Sequence, residues 1–395
     1  MTQHRDLPLS GIRVVEFCQM VMGPSCGMIL ADLGAEVIKI EPPKGDRTRF
    51  LKGVASGFFN TFARNKRSLA LDIATPEGLA IAKTLIASAD VLIENFRPGL
   101  MARSGLDYDS VSAFAPRLIY CSLKGFLPGP YENRTALDEV VQMMGGLAYM
   151  TGPPGKPMRA GASVNDIMGG MFGVIAIQAA LAQRARTGRG QHLQSALFEN
   201  NVFLMAQAMM YETVTGSPAL PWSVKNAPWP VYDLFETADG SQIFVSIVGE
   251  EHWRDFWTEF GKPEWLTDPD CTDNNGRVAA RPRFMPVIAE MLRQRTAEEL
   301  SVLFERVGMP FAPVNTPHEL FADAHLNASG GLLDMTLVDG TPARTPALPM
   351  SFDGSRLPKR LDPPRIGEHT AAILSTLGLT PDEISRLADN GTIRT

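Results

Sequence analysis

The sequence predicts an α/β fold: a large domain with a mostly parallel sheet, and a smaller second domain inserted after it. Three observations lead there. Short apolar strands alternate with helical patterns through the first 125 residues, as in consecutive βαβ units. A proline-rich stretch, SPALPWSVKNAPWPVY at 217–232, closes a helical region and is followed by a fresh strand and an amphipathic helix. Finally, 395 residues with 45% hydrophobic content exceed one ordinary compact domain and can fill a large core.

Taken in order, IRVVEF at 12–17 reads as a strand, followed by a helix over 24–33 and the strand EVIKI at 36–40. SLALDI at 68–73 is the next strand. Thr75-Pro76-Glu77 then opens a helix that ends near Ser88, with threonine as cap and proline in the first turn. DVLIEN and LIYCSL supply two more strands. From about 135 to 212 the pattern is helical, with Asp166 at the head of the apolar run Ile167 to Ala182 and TGRGQ at 187–191 as a break. QIFVSIVG and a helix containing His252, Trp253 and Phe256 begin the second domain, which runs to about 325. After a proline-rich stretch from 340, the tail predicts two short helices separated by Gly378 to Pro381. No internal repeat is visible.

Composition narrows the function. A net charge of -6 gives no global reason to bind nucleic acid or an anionic membrane, so any anionic ligand must be held by a local cluster. Cys18, Cys26, Cys121 and Cys271 lack the spacing of a zinc site or a disulfide framework. With no apolar core behind the first charge of MTQHRDLPLS, the expectation is a cytoplasmic protein. The run Ile167 to Ala182 is slightly short for a membrane span and is broken by Gln178, which predicts a buried helix. The six histidines, His4, His192, His252, His318, His325 and His369, show no ligand spacing, and no metal is expected.

The run ADVLIENFRPG at 89–99 carries the strongest chemical signal. A strand ends abruptly in Asn95, Phe96 and Arg97, and open α/β sheets bind ligands just past such ends. An amide, an aromatic face and a guanidinium suit a ligand with phosphate and a flat ring. Arg103 adds a cation nearby, and Arg64, Lys66 and Arg67, with Lys44 and Arg47, form a second basic cluster. Asp166 stands where free N–H groups and the helix dipole favour a carboxylate, predicting an exposed, ionised nucleophile or a simple cap. Gly169 and Gly170, one turn on, allow close approach of a ligand or a helix. GPSCG at 23–27 resembles a nucleophile elbow in a poor context, with Pro24 beside Ser25. GPPGKP at 152–157 resembles a phosphate loop until Pro157. No G-x-G-x-x-G follows the first strand, against a nicotinamide site.

Taken together, PLSGIRVVEF, LADLGAEVIKIEPPKGD, NKRSLALD, ADVLIENFRPG, LIYCSLKGF, the segment around Asp166, RTGRGQ and GEHT resemble, in order and spacing, the class III CoA-transferases. The resemblance implies a large domain of residues 1–212, a linker 213–230, a small domain 231–325 and a segment 326–395 returning to the large domain. It also implies two subunits interlocked as a homodimer. By the same resemblance the catalytic nucleophile falls on Asp166. The coenzyme A contacts fall on Leu71, Asp72, Ile73 and Ala74, on Asn95, Phe96 and Arg97, and on Arg103.

That family transfers CoA from an acyl-CoA donor to a carboxylic acid through an aspartyl anhydride and an aspartyl-CoA thioester, without a metal. Succinyl-CoA is the expected donor and a small carboxylic acid the acceptor, with Lys44, Arg47, Arg159 or Lys225 as candidates to hold a second carboxylate. Three departures argue against oxalate as acceptor: Val21 replaces a glutamine of formyl-CoA transferase, Pro42 replaces an arginine, and 214–231 lacks its glycine-rich loop. The related racemases need a histidine near Leu137, and none lies between His4 and His192. A racemase and a non-catalytic CoA-binding protein are the alternative readings.

Overall fold

The alternation in the first third of the chain becomes a parallel sheet in the computed structural model, which describes residues 7–224 and 228–395. His4 and Lys225 lie outside the described residues. β1 (Arg13–Phe17) leads into α1 (Met22–Asp32) and β2 (Glu36–Glu41); the short α2 (Phe58–Phe62) precedes β3 (Lys66–Leu71). α3 (Pro76–Ala87) starts as its sequence demands: the Thr75 side chain accepts the Gly78 N–H at 3.1 Å and Pro76 occupies the first turn. β4 (Val91–Glu94), α4 (Leu100–Arg103), α5 (Tyr108–Phe114) and β5 (Ile119–Lys124) follow, then α6 (Asp138–Met144), α7 (Leu147–Thr151) and the long α8 (Val164–Thr187).

Two strands of the large sheet escape the sequence pattern. β6 (Gln191–Ala196) lies inside the region read as helical, between α8 and α9 (Leu197–Thr215). Its partner β5 pairs with it in parallel over its whole length, which makes a strand of a segment too polar to declare itself. α8 is also longer than its apolar run, long and apolar enough by length and composition to cross a membrane. It packs along α1: a Cβ at Gly170 would lie 2.1 Å from Ser25 Oγ, and one at Gly169 2.3 Å from Met22 Cε. These glycines therefore serve helix–helix contact. Ser25 is itself inside α1, with its hydroxyl bonded to the Met22 carbonyl, so GPSCG is no nucleophile elbow.

Within Val224–Ala324, β7 (Val231–Glu236), β8 (Gln242–Ile247) and β9 (Phe311–Pro313) form an antiparallel sheet. α10 (Glu250–Glu259), α11 (Glu264–Thr267), α12 (Asn274–Arg293) and α13 (Ala297–Val307) complete this unit around Trp253, Phe256, Trp257, Phe284 and Phe304. The chain divides into this unit and one built from Met1–Ser223 with His325–Thr395. The last stretch holds α14 (Ala324–Ala328), the hairpin of β10 (Leu332–Thr336) with β11 (Pro342–Pro346), and the short β12 (Ser351–Phe352) paired with β13 (Ser355–Arg356). α15 (Thr370–Thr376) and α16 (Pro381–Asp389) are the two predicted tail helices, the second opened by a Thr380–Glu383 capping box. β14 (Ile393–Arg394), which the sequence does not announce, adds antiparallel to β3.

The large sheet runs β14-β3-β2-β1-β4-β5-β6, parallel except for β14. Alternate side chains feed two cores on its two faces: Val14, Val37, Val91 and Ile119 join one, Val15, Ile38, Leu92 and Tyr120 the other. The strand order reverses between β1 and β4. The carboxyl ends of those two strands therefore flank the crevice where open sheets bind ligands.

Candidate active site

Phe17 ends β1 and Glu94 ends β4, side by side in register. The loop Cys18–Val21 follows the first, and Asn95–Gly99 the second. Asn95 ties them together, its Oδ1 accepting the Gln19 N–H at 3.0 Å and its Nδ2 donating to the Gln19 carbonyl at 2.8 Å. Lys124 fixes the other side, pairing with Glu94 at 2.6 Å and donating to the Phe96 carbonyl at 3.0 Å. A Cβ at Gly23 would sit 3.0 Å from the Asn95 amide carbon, while Gly169 and Gly170 rest on Met22 and Ser25. The first turn of α1 is thus the common neighbour of the β4 end and of the start of α8, which carries Asp166.

Asp166 is half-buried in the first turn of α8, a correction to the expected exposed anion. Burial, then the charges of Asp138 and Glu139, push its carboxyl up to about 7 against the pull of Arg159. The capping role belongs to Asp138, from α6: its Oδ1 accepts the N–H groups of Asn165 and Asp166 at 2.8 and 3.1 Å. Gln142, one turn later, donates to the other Asp138 oxygen and accepts the Ala160 N–H at 2.8 Å. Arg159 pairs with Glu139 and lies 3.8 Å from Asp138, so this candidate for a second substrate carboxylate already has anionic partners. The remaining first-turn donors of α8 are also occupied, Val164 by Ala162 and Ile167 by Ser163. Leu137 caps α6 where a racemase needs its histidine.

The predicted CoA residues divide. Arg97 and Arg103 are exposed beside Gly99, whose φ of +80° opens α4 and whose carbonyl accepts from Arg103 Nε at 3.4 Å; two exposed cations there fit a phosphate-bearing ligand. Phe96 is half-buried and packs against the second core. Asp72 folds back to accept the Ala74 N–H at 3.0 Å, in an exposed turn. The Leu71 side chain is core and its backbone pairs with Ile393, so only its main chain faces the turn that follows. Ile73 likewise packs against the core.

The second basic cluster is not a phosphate site. Arg64 is buried on Asp32 at 2.7 Å, Lys66 on Glu16 at 2.6 Å, and Arg67 pairs with Glu36. Lys44 and Arg47 are exposed. The cysteines are buried and unbridged. Among the described residues no group of three or more His, Cys, Asp or Glu side chains is arranged to hold a metal ion. Asp138 and Gln142 were missed by sequence reasoning. Their i,i+4 spacing on a helix was visible, but nothing linked it to Asp166, 28 residues later.

Residues 9–370 match the CoA-transferase family III. A succinate–glutarate CoA-transferase of Agrobacterium fabrum is 35% identical over 387 residues, covering 95% of this chain and 96% of that protein. A mouse succinyl-CoA:glutarate CoA-transferase is 31% identical, covering 98% of this chain and 90% of its own. Formyl-CoA:oxalate CoA-transferase of Escherichia coli is 32% identical, covering 98% and 99%. The crystal structure of a CAIB/BAIF family protein from Brucella suis superposes with a TM-score of 0.83 at 35% identity, covering 94% of this chain and all of that one. With the match spanning nearly the whole chain, this protein belongs to the class III CoA-transferases and is an enzyme that uses CoA thioesters as substrates.

Proposed function

We propose that this enzyme moves CoA from succinyl-CoA to a small dicarboxylic acid, with Asp166 as the covalent nucleophile. The observation that carries it is Asp166 in the first turn of α8, its backbone N–H held by Asp138, with Gly169 one turn on resting against Met22 at the start of α1. Donor and acceptor are inferred from relatives named for succinate or succinyl-CoA and glutarate at 35% and 31% identity. The departures at Val21 and Pro42 favour an acceptor other than oxalate.

An Asp166 carboxylate oxygen attacks the thioester carbonyl, the C–S bond breaks, and CoA thiolate leaves behind a mixed anhydride. The thiolate then attacks the Asp166 side-chain carbonyl, releasing succinate and forming an aspartyl-CoA thioester. An acceptor carboxylate repeats the two steps in reverse. Each intermediate keeps an activated acyl bond, so no ATP is consumed. Because the first-turn N–H groups of α8 already have acceptors, stabilisation of the tetrahedral oxyanions falls to the facing loop after β1. Arg97 and Arg103 hold CoA phosphate, with Asn95 and Phe96 and the Asp72–Ala74 turn shaping the site around them.

The functional unit is a cytoplasmic homodimer of interlocked chains. Supporting this, α8 and α9 leave large apolar side chains exposed on one chain, among them Ile175, Phe203, Met210 and Val214, which a second copy would cover. Intact and peptide mass spectrometry after mixing with succinyl-CoA tests the chemistry. A CoA adduct on Asp166, absent in Asp166→Asn, is expected. No adduct with any acyl-CoA, despite measurable CoA binding, would remove the transferase mechanism.

A further inference from the structure

The segment from Cys18 to Pro24, the loop after β1 with the first turn of α1, is gripped along its backbone by groups from elsewhere. Lys39 Nζ donates to the Cys18 carbonyl at 2.6 Å, and Lys66 Nζ to that of Pro24 at 2.8 Å. Between them, Met20 has φ of +65°, a left-handed conformation that costs a non-glycine residue about 1 kcal/mol or more. Its N–H donates to Thr48 Oγ1 at 3.0 Å. The Thr48 hydroxyl donates in turn to Asp46 Oδ1 at 2.8 Å, and Asp46 Oδ2 receives Lys39 at 2.7 Å. Glu16 closes the group, pairing with Lys66 at 2.6 Å and lying 3.6 Å from Lys39. Glu16, Lys39, Asp46, Thr48 and Lys66 are all buried. Gly27 leaves room for them, since a Cβ there would lie 1.9 Å from Glu16 Oε2.

Buried ion pairs add little stability over well-packed apolar side chains. What this group supplies is direction: each cation and the threonine end on a named backbone atom of one loop. That loop carries Met22, against which Gly169 of α8 packs, and leaves the Met20 side chain 42% exposed. We propose that Lys39, Asp46 and Thr48 are positioning residues for acyl transfer, holding Met20 in its left-handed conformation so that the Gln19–Met22 segment meets the acyl group on Asp166. The inference rests on the Asp166 reading above.

The test uses the full-length enzyme with succinyl-CoA, reading both steady-state transfer and the Asp166 adduct. Thr48→Val keeps shape and charge but removes the Met20 acceptor. Its kcat is expected to fall roughly tenfold, the scale of a sub-ångström misplacement, with KM for succinyl-CoA within about twofold, and Thr48→Ser restores the rate. Met20→Gly adopts the same backbone without strain, so it raises the melting temperature, and adding it to Thr48→Val recovers turnover. Unchanged kcat in a folded Thr48→Val, or a lowered melting temperature in Met20→Gly, overturns the positioning role. An absent adduct in the parent enzyme instead overturns the nucleophile, which keeps the two failures apart. Should Thr48→Val not fold, Thr48→Ala is read in the same way, and an unchanged kcat there overturns the positioning role.

Discussion

The carboxylate of Asp138 accepts the backbone N–H of Asp166 at 3.1 Å, so one acid fixes the peptide of another and sets its charge. The same oxygen takes the Asn165 N–H at 2.8 Å. A carboxylate at a helix start is ordinarily favoured by the helix dipole. Here burial and the neighbouring acids win, and the Asp166 carboxyl rises to about 7.

Activity should report that rise. The attacking species is the carboxylate, so kcat/KM for succinyl-CoA is expected to climb with pH and level off above about 7. Asp138→Asn removes a neighbouring charge that raises the Asp166 carboxyl and should move the midpoint to lower pH. A pH–rate profile with an unmoved midpoint in that variant would rule out the coupling.

Stability should move the opposite way. Between its ordinary 3.8 and about 7, Asp166 binds a proton in the folded chain that the unfolded chain does not hold. Folding is therefore weakened as pH rises through that window. At pH 8, Asp166→Asn is expected to be more stable than the parent by about 2 kcal/mol, discounted from the full linkage value for partial exposure. The gain should vanish near pH 4, as urea melts at the two pH values would show.

Arginines of two kinds should separate cleanly. Arg97→Ala and Arg103→Ala are expected to weaken CoA binding roughly five- to tenfold each, most strongly at low salt, without changing the melting temperature. Arg64→Met strands the buried Asp32 and should destabilise by about 3–5 kcal/mol. Calorimetric titration with CoA, run beside thermal melts, distinguishes them. Equal melting losses in all three would contradict the exposure of Arg97 and Arg103.

Close helix packing gives a further measurement. Gly170→Ala drives a methyl to within 2.1 Å of Ser25 Oγ and 2.9 Å of the Met22 carbonyl and the Cys26 nitrogen. Backbone cannot yield as a side-chain tip can, so a loss of about 2–3 kcal/mol is expected in chemical denaturation. Gly161→Ala, with nothing within 4 Å, is the control and should be nearly neutral.

What the sequence made legible was whatever depends on neighbours along the chain. The Thr75-Pro76 start of α3, the strands Val91–Glu94 and Ile119–Lys124, and the mostly parallel sheet follow from local spacing. β6 was hidden because QHLQSA gains its strand character from β5, some 70 residues away. Arg64 and Lys66 read as a surface cluster because their acids, Asp32 and Glu16, come from other elements. The raised carboxyl of Asp166 depends on burial and then on Asp138, which reaches it only across a fold contact. Charge on a sequence does not reveal whether a side chain will be paired or solvated.

The strand β14 has a consequence for synthesis. It covers β3, and nearby Thr370 bonds to Ala70 across 300 residues of chain. Until Ile393 and Arg394 are made, β3 remains an open edge. Val224–Ala324, whose partners are closer in sequence, can settle beforehand. Until residues 393–394 emerge, that bare edge can pair with a stranger, and a chaperone shielding it would be useful in that interval.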